Sequence, residues 1–163
     1  MVKFHLAHTS PINPPSASPV LTHAQVWSGL QRKIRFAQEF VPIIESCTVL
    51  SDVDGVVDRK VVFKEGMAPK REARETVKGL GNAWVDFIQE DGTTVKNIIS
   101  ASGPGGDENL HMTYVFEFDF PQLEEGSEAA NAQLEKVQGN ARMAVEKSIE
   151  TIREMVLDGR IKE

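Results

Sequence analysis

The stretch from Ser127 to Leu157 constrains the chain most, because its apolar and small residues recur every three or four positions without a break. Ala130, Leu134, Val137, Ala141, Val145, Ile149, Ile152 and Met155 draw one stripe along a helix, and Gln133, Lys136, Asn140, Arg142, Glu150 and Glu154 fall off it. Ser127 supplies an N-cap, Glu128 suits the positive end of the helix, and Gly159 follows the last turn. At 1.5 Å per residue such a helix runs about 45 Å, well beyond the common globular length. It requires a large apolar partner. No second helix of that length is written in the sequence, so the partner has to be the strand-rich middle of the chain.

That middle reads in period two. Val2 to His8 alternates and forms a first strand, and four prolines then hold Ser10 to Val20 out of regular structure. Thr22 and Gln25 make a capping box ahead of a helix that buries Val26, Trp27, Leu30 and Ile34 and reaches about Phe36, with a second short turn over Ala37 to Val41. Strands follow at Glu45–Leu50, Val56–Lys64, Glu72–Lys78, Asn82–Gln89 and Thr93–Ser100. The Ser51–Gly55 segment is read as a turn, and Ser102–Asn109 as a glycine-rich loop. Leu110–Phe120 is the clearest strand, with Met112, Tyr114, Phe116, Phe118 and Phe120 on one face. The order predicts one α+β domain over residues 1–163, a curved antiparallel sheet of about seven strands wrapped around the terminal helix, with a short helix pair after strand 1. The small side chains Ala130, Ala141, Ala144 and Ser148 would lift the helix off the sheet floor and leave a cavity beneath it.

Composition removes several function classes. With 40% hydrophobic and 26% charged residues the chain supports a folded core. A net charge of −6 lacks the basic footprint that nucleic acid or an anionic membrane requires, so neither is expected as a partner. The single cysteine, Cys47, permits no internal disulfide and suits a reducing compartment, and no apolar run is long enough to span a bilayer; a cytoplasmic protein is expected. Oligomeric state is not encoded in any feature of the sequence.

Three segments carry a resemblance: Pro11-Ile12-Asn13-Pro14-Pro15, Leu21-Thr22-His23-Ala24-Gln25-Val26-Trp27-Ser28-Gly29-Leu30, and Phe40-Val41-Pro42-Ile43-Ile44-Glu45-Ser46-Cys47-Thr48-Val49-Leu50. They resemble the AtaL-like family of the START-like (SRPBCC) helix-grip superfamily, whose members resemble pollen-allergen and polyketide cyclase proteins. The resemblance runs from Val2 to about Ile161. It implies the helix-grip fold and a cavity for a hydrophobic small molecule, and it tilts the expected role toward secondary metabolism.

No strong catalytic motif is present. Gly103-Pro104-Gly105-Gly106 lacks the lysine and helix of a phosphate loop, and His5, His8, His23 and His111 show no ligand spacing, so neither a metal nor a cofactor is expected. The candidates for chemistry are Tyr114, whose hydroxyl can orient or protonate a ligand, and Glu75 and Arg59, which share strand parity with Val77 and with Val57 and Val61. Either these two point into the interior, or they form a cross-strand pair on the exposed face. Trp84, Met112, Phe116, Phe118, Ala141 and Val145 are the expected ligand-binding wall, which in this fold class is the same surface as the core. His5 and His111 are candidate bases by their ordinary titration range, and Cys47 is read as a small core residue. Three roles fit this pattern: a cofactor-free cyclase or isomerase, a non-catalytic carrier of a hydrophobic metabolite, and a protein-interaction module.

Overall fold

A computed structural model describes residues 1–68 and 70–162. Seven strands form one antiparallel sheet: β1 (Val2–Pro11), β2 (Ile44–Val53), β3 (Val56–Phe63), β4 (Glu72–Leu80), β5 (Trp84–Gln89), β6 (Thr94–Ala101) and β7 (Leu110–Phe120). The spatial order is β1-β7-β6-β5-β4-β3-β2. β1 and β2 therefore lie at opposite edges, bridged by α1 (His23–Arg35) and a single 3-10 turn at Ala37–Glu39, and the chain then meanders back to β1. The terminal helix α2 (Glu128–Leu157) lies chiefly against β1 and β7 and also touches α1. The predicted α+β helix-grip architecture is the observed one.

Local chemistry sets these boundaries. Thr22 Oγ1 accepts from the Gln25 amide (3.1 Å) and Gln25 Oε1 returns a bond to the Thr22 amide (2.9 Å), so the capping box opens α1 as read. Ser127 Oγ accepts from the Ala130 amide (3.1 Å) and opens α2. Two strand ends differ most from the sequence reading, by three residues each, while the ends of β4, β5 and β6 move by one or two. β2 continues through Val53, because Asp54 (φ 52°) and Gly55 (φ 77°) alone make the hairpin turn, which leaves Ser51 and Asp52 paired with Asp58 and Val57. β1 continues to Pro11, because β7 pairs with it over its full length, from Val2↔Phe120 to Pro11↔His111.

Register places side chains in rows across the concave face. One row reads Val57, Val77, Phe87, Val95, Phe116, Leu6; the next reads Gly79, Val85, Asn97, Tyr114, His8. α1 closes over the second row. A Cβ at Gly79 would stand 3.2 Å from the Trp27 ring and one at Gly29 only 2.5 Å from Ile152, so these two glycines let α1 approach both the sheet and α2. The buried residues of α2 are Ala130, Val137, Ala141, Val145, Ser148, Ile149, Thr151, Ile152 and Met155, close to the predicted stripe except that Leu134 is only half-buried. The proline-rich segment is tied to α2 by Arg153, which donates to the Ile12 (2.6 Å) and Pro19 (3.2 Å) carbonyls, and to Leu21, just ahead of the α1 N-cap, by Asn13, which exchanges bonds with its backbone.

Candidate functional site

The concave face is largely apolar and carries a buried polar cluster whose centre α1 delivers. Lys33 occupies the α1 stripe with Val26, Gly29, Leu30 and Ile34 and is only 6% exposed. Its Nζ donates to Tyr114 Oη (2.9 Å), Asn97 Oδ1 (3.0 Å) and Ser148 Oγ (3.4 Å), so α1, β7, β6 and α2 all contribute to one nitrogen. The ammonium also stands 4.4 Å from the centre of the Tyr114 ring and 5.7 Å from that of Phe87. Burial, reinforced by the nearby Arg59 charge and opposed by Glu75, pushes the Lys33 ammonium down to about 7. Burial pushes the Tyr114 phenol up, which keeps it a neutral hydroxyl. Asn97 is fully buried, and its Nδ2 has no hydrogen-bond partner among the described residues.

Beside this cluster lies a buried ion pair. Arg59 on β3 meets Glu75 on β4 directly across the ladder, through Nε (2.7 Å) and Nη2 (2.5 Å) to Oε2, and Gln89 Nε2 donates to Glu75 Oε1 (2.8 Å). Arg59 Nη1 reaches the carbonyls of Lys33 (2.9 Å) and Ile34 (2.8 Å), in the last turn of α1, where helix carbonyls lack intrahelical donors. The guanidinium thus caps α1 and anchors the backbone of Lys33 itself. It also covers the Phe87 ring at 5.0 Å. Of the two orientations open in the sequence, Arg59 and Glu75 adopt a combination: they are a cross-strand pair, and the pair is on the buried face.

The remaining predicted positions divide. Met112, Tyr114, Phe116, Ala141 and Val145 belong to one buried cluster with Phe87, Ile99 and Ile149, and Phe118 packs against its border, stacked on Phe116 at 5.5 Å. The expected wall residues thus pack against one another as core. Trp84 does not join them. It opens β5 with the opposite parity to the buried Val85 and Phe87, is 37% exposed, and lies under the Lys96 ammonium at 5.3 Å, so it belongs to the outer face of the sheet. His5 is exposed beside Glu117, and His111 bonds the Asn109 carbonyl, so neither reaches the cluster. Cys47 packs at the edge of a small satellite cluster with Ala37, Ile44 and Val61. Two open surface grooves, of about 390 and 500 Å³, flank Pro11 and Pro14; of the predicted candidates only His111 lines one of them, the larger.

The sequence profile described as AtaL, acetylaranotin biosynthesis cluster protein L, matches residues 6–159. The chain belongs to the AtaL family. Acetylaranotin biosynthesis cluster protein L of Aspergillus terreus (strain NIH 2624 / FGSC A1156) is 26% identical over 162 residues, covering 98% of this chain and 94% of that protein. Among solved structures, the Zhui aromatase/cyclase of Streptomyces sp. R1128 superposes with a TM-score of 0.70 at 13% identity, covering 95% of this chain and 96% of that one. The di-domain aromatase/cyclase StfQ of the steffimycin biosynthetic pathway gives 0.69 at 11% identity; this chain covers 96% of itself and spans about half, 52%, of StfQ. These structures share the fold. Among the described residues, no helix is long and apolar enough to cross a membrane.

Sequence reasoning missed Lys33, Asn97 and Ser148 as polar members of this AtaL-family site. A signal existed for each. Lys33 falls in the apolar stripe of α1, Asn97 alternates with Val95 and Ile99 on β6, and Ser148 lies in the stripe of α2.

Proposed function

We propose that this AtaL-family protein binds a hydrophobic small molecule between the sheet and α2, and acts on it as a cofactor-free cyclase or isomerase of secondary metabolism. The observation that carries this reading is the convergence of Lys33, Tyr114, Asn97 and Ser148 on one point inside a largely apolar face, backed by the Arg59–Glu75 pair. A passive apolar carrier has no need of such a cluster, since every buried polar group costs desolvation unless it is matched. A lysine near its midpoint at neutral pH gives and takes protons with little penalty, and the neutral Tyr114 hydroxyl is a donor beside it. Arg59 and Glu75 position Lys33 through its own backbone carbonyl. The apolar residues Phe87, Met112, Phe116, Ala141 and Val145 would enforce a compact ligand conformation, the usual contribution of a shaped pocket to ring closure.

The similarity to aromatase/cyclases in fold, and membership of a family described from a biosynthesis cluster, support the same reading. The test is native mass spectrometry of the purified protein beside its denatured extract, followed by a thermal-shift screen of polycyclic metabolites. Ala141→Trp should block binding while the domain stays folded, and Tyr114→Phe should retain the fold and lose turnover. Unchanged binding in the first variant places the ligand elsewhere, and unchanged turnover in the second returns Tyr114 to the core.

A further inference from the structure

We propose that Lys33 is an amine nucleophile that captures a ketone or β-dicarbonyl carbon of the ligand as an imine, so that the interior takes a carbonyl-bearing substrate covalently. The proposal rests on the reading of this interior as the ligand site, and it names the substrate class and the bond formed there.

Three observations lead to it. First, among the described residues Lys33 makes no ion pair: its three partners are the neutral oxygens of Tyr114, Asn97 and Ser148. A lysine kept only for structure would be matched to a carboxylate or replaced by an apolar side chain of similar volume, since an unmatched buried charge is costly. Glu75 stands close enough to act through its charge, yet its oxygens are taken by Arg59 and Gln89. Second, the oxygens of Tyr114, Asn97 and Ser148 hold Nζ in place, as a nucleophile requires. Third, the Asn97 amide gives its oxygen to Lys33 and leaves Nδ2 buried and unpartnered. Because both atoms share one amide carbon, this spare donor sits beside the nucleophile, where the oxygen of an attacked carbonyl would stand. Arg59, held against Phe87 and the α1 carbonyls, disfavours the protonated amine, and burial does so more strongly. The charged and titratable groups facing Lys33 are Arg59 from β3, Glu75 from β4 and Tyr114 from β7; His8 on β1 is the ladder partner of Tyr114, and its ring bonds the Ser10 hydroxyl.

The step balances without a co-reactant. The Nζ lone pair forms a C–N bond, the carbonyl π pair moves to oxygen, and a proton passes from nitrogen to that oxygen, giving a carbinolamine. The C–O bond then breaks, water leaves with the second amine proton, and an imine remains. With a β-dicarbonyl, a proton shifts from the central carbon to nitrogen and the product is an enaminone. The enamine form carries a nucleophilic carbon, which can close a ring on a second carbonyl, and hydrolysis then consumes one water and restores Lys33.

The experiment uses the full chain and 2,4-pentanedione. At pH 7 an ordinary lysine is neutral in about one molecule in 3,000, whereas Lys33 is neutral in about half, so once the diketone reaches the interior the adduct should form at Lys33 in preference to the surface lysines. The expected result is the near-ultraviolet absorbance of an enaminone, an intact mass increased by one diketone less one water, and peptide mapping to Lys33. Lys33→Arg should abolish all three; mapping of the native protein stands whether or not that variant folds. Adducts confined to surface lysines, or none, overturn the proposal. Fluorescence of 1-anilinonaphthalene-8-sulfonate, which carries no carbonyl, separates the two readings. Dye bound to the folded protein and excluded by Ala141→Trp, with no diketone adduct, overturns covalent capture and leaves the site standing; neither dye nor diketone bound overturns both.

Discussion

Lys33→Met should flatten the pH dependence of stability above neutrality. In the folded chain the Lys33 ammonium titrates at about 7, against 10.5 for an ordinary lysine. Between those values the unfolded chain binds more protons than the folded one, so stability rises with pH. Below pH 7 both states are protonated and the whole penalty of the buried charge is present. Above pH 7 the folded lysine sheds its proton and the penalty is relieved. Applying the two titration points to the linkage relation, the wild-type protein should gain about 2 kcal/mol between pH 7 and pH 9 from this one group. Methionine fills similar volume, carries no proton, and leaves the Tyr114–Ser148 contact in place. Urea denaturation of both proteins from pH 6.5 to 9.5 gives the difference curve directly, because groups common to both subtract out. The raised Tyr114 phenol enters only above pH about 10, where unfolded phenols ionise. Wild-type and variant curves that run parallel across this range would refute the assignment of a charge-depressed lysine to the interior.

Three other outcomes follow from the same geometry. Glu75→Gln should destabilise the domain by about 3–5 kcal/mol, as removal of one partner leaves the buried Arg59 charge uncompensated. Arg59→Met with Glu75→Leu should recover most of that loss and yet fray the end of α1, measured as faster amide exchange at Phe36 and Ala37, since the Lys33 and Ile34 carbonyls lose their donor. Gly29→Ala places a Cβ 2.5 Å from Ile152, so overpacking of about 1–3 kcal/mol should exceed the helix-propensity gain, and Ile152→Val should relieve it in a double-mutant cycle by thermal melting.

The fold was legible because its parts are local. Both helix starts are capping chemistry confined to four residues, Asp54-Gly55 lies within the turn read over Ser51–Gly55, and β7 alternates buried and less buried positions from Leu110 to Phe116. The reading erred where pairing overrides local preference: β1 runs on into Pro11 because β7 supplies partners that far, and polar Ser51 and Asp52 stay in β2 because β3 does the same. Trp84 was misplaced by a single step of parity, which in a strand exchanges inside for outside. The site is a different case. Tyr114, Arg59 and Glu75 were legible as inward candidates from parity, whereas Lys33 was not, because a lysine in an apolar stripe ordinarily runs its stem along the surface and keeps its ammonium in water. What holds it inside is the company it keeps, and those partners are 64, 81 and 115 residues away in sequence. Only the closing of α1 over the β6–β7 rows, allowed by Gly29 and Gly79, brings them together. The same closure explains why the expected wall residues pack as core: with α1 and α2 both seated on the sheet, Phe87, Met112 and Phe116 fill the space between them. Under the proposed function a ligand would therefore have to displace α2 or repack these side chains, so that its entry and the exposure of Lys33 would be one event. Under the proposed imine chemistry, the amine would then react only with a carbonyl compound able to enter this packed interior.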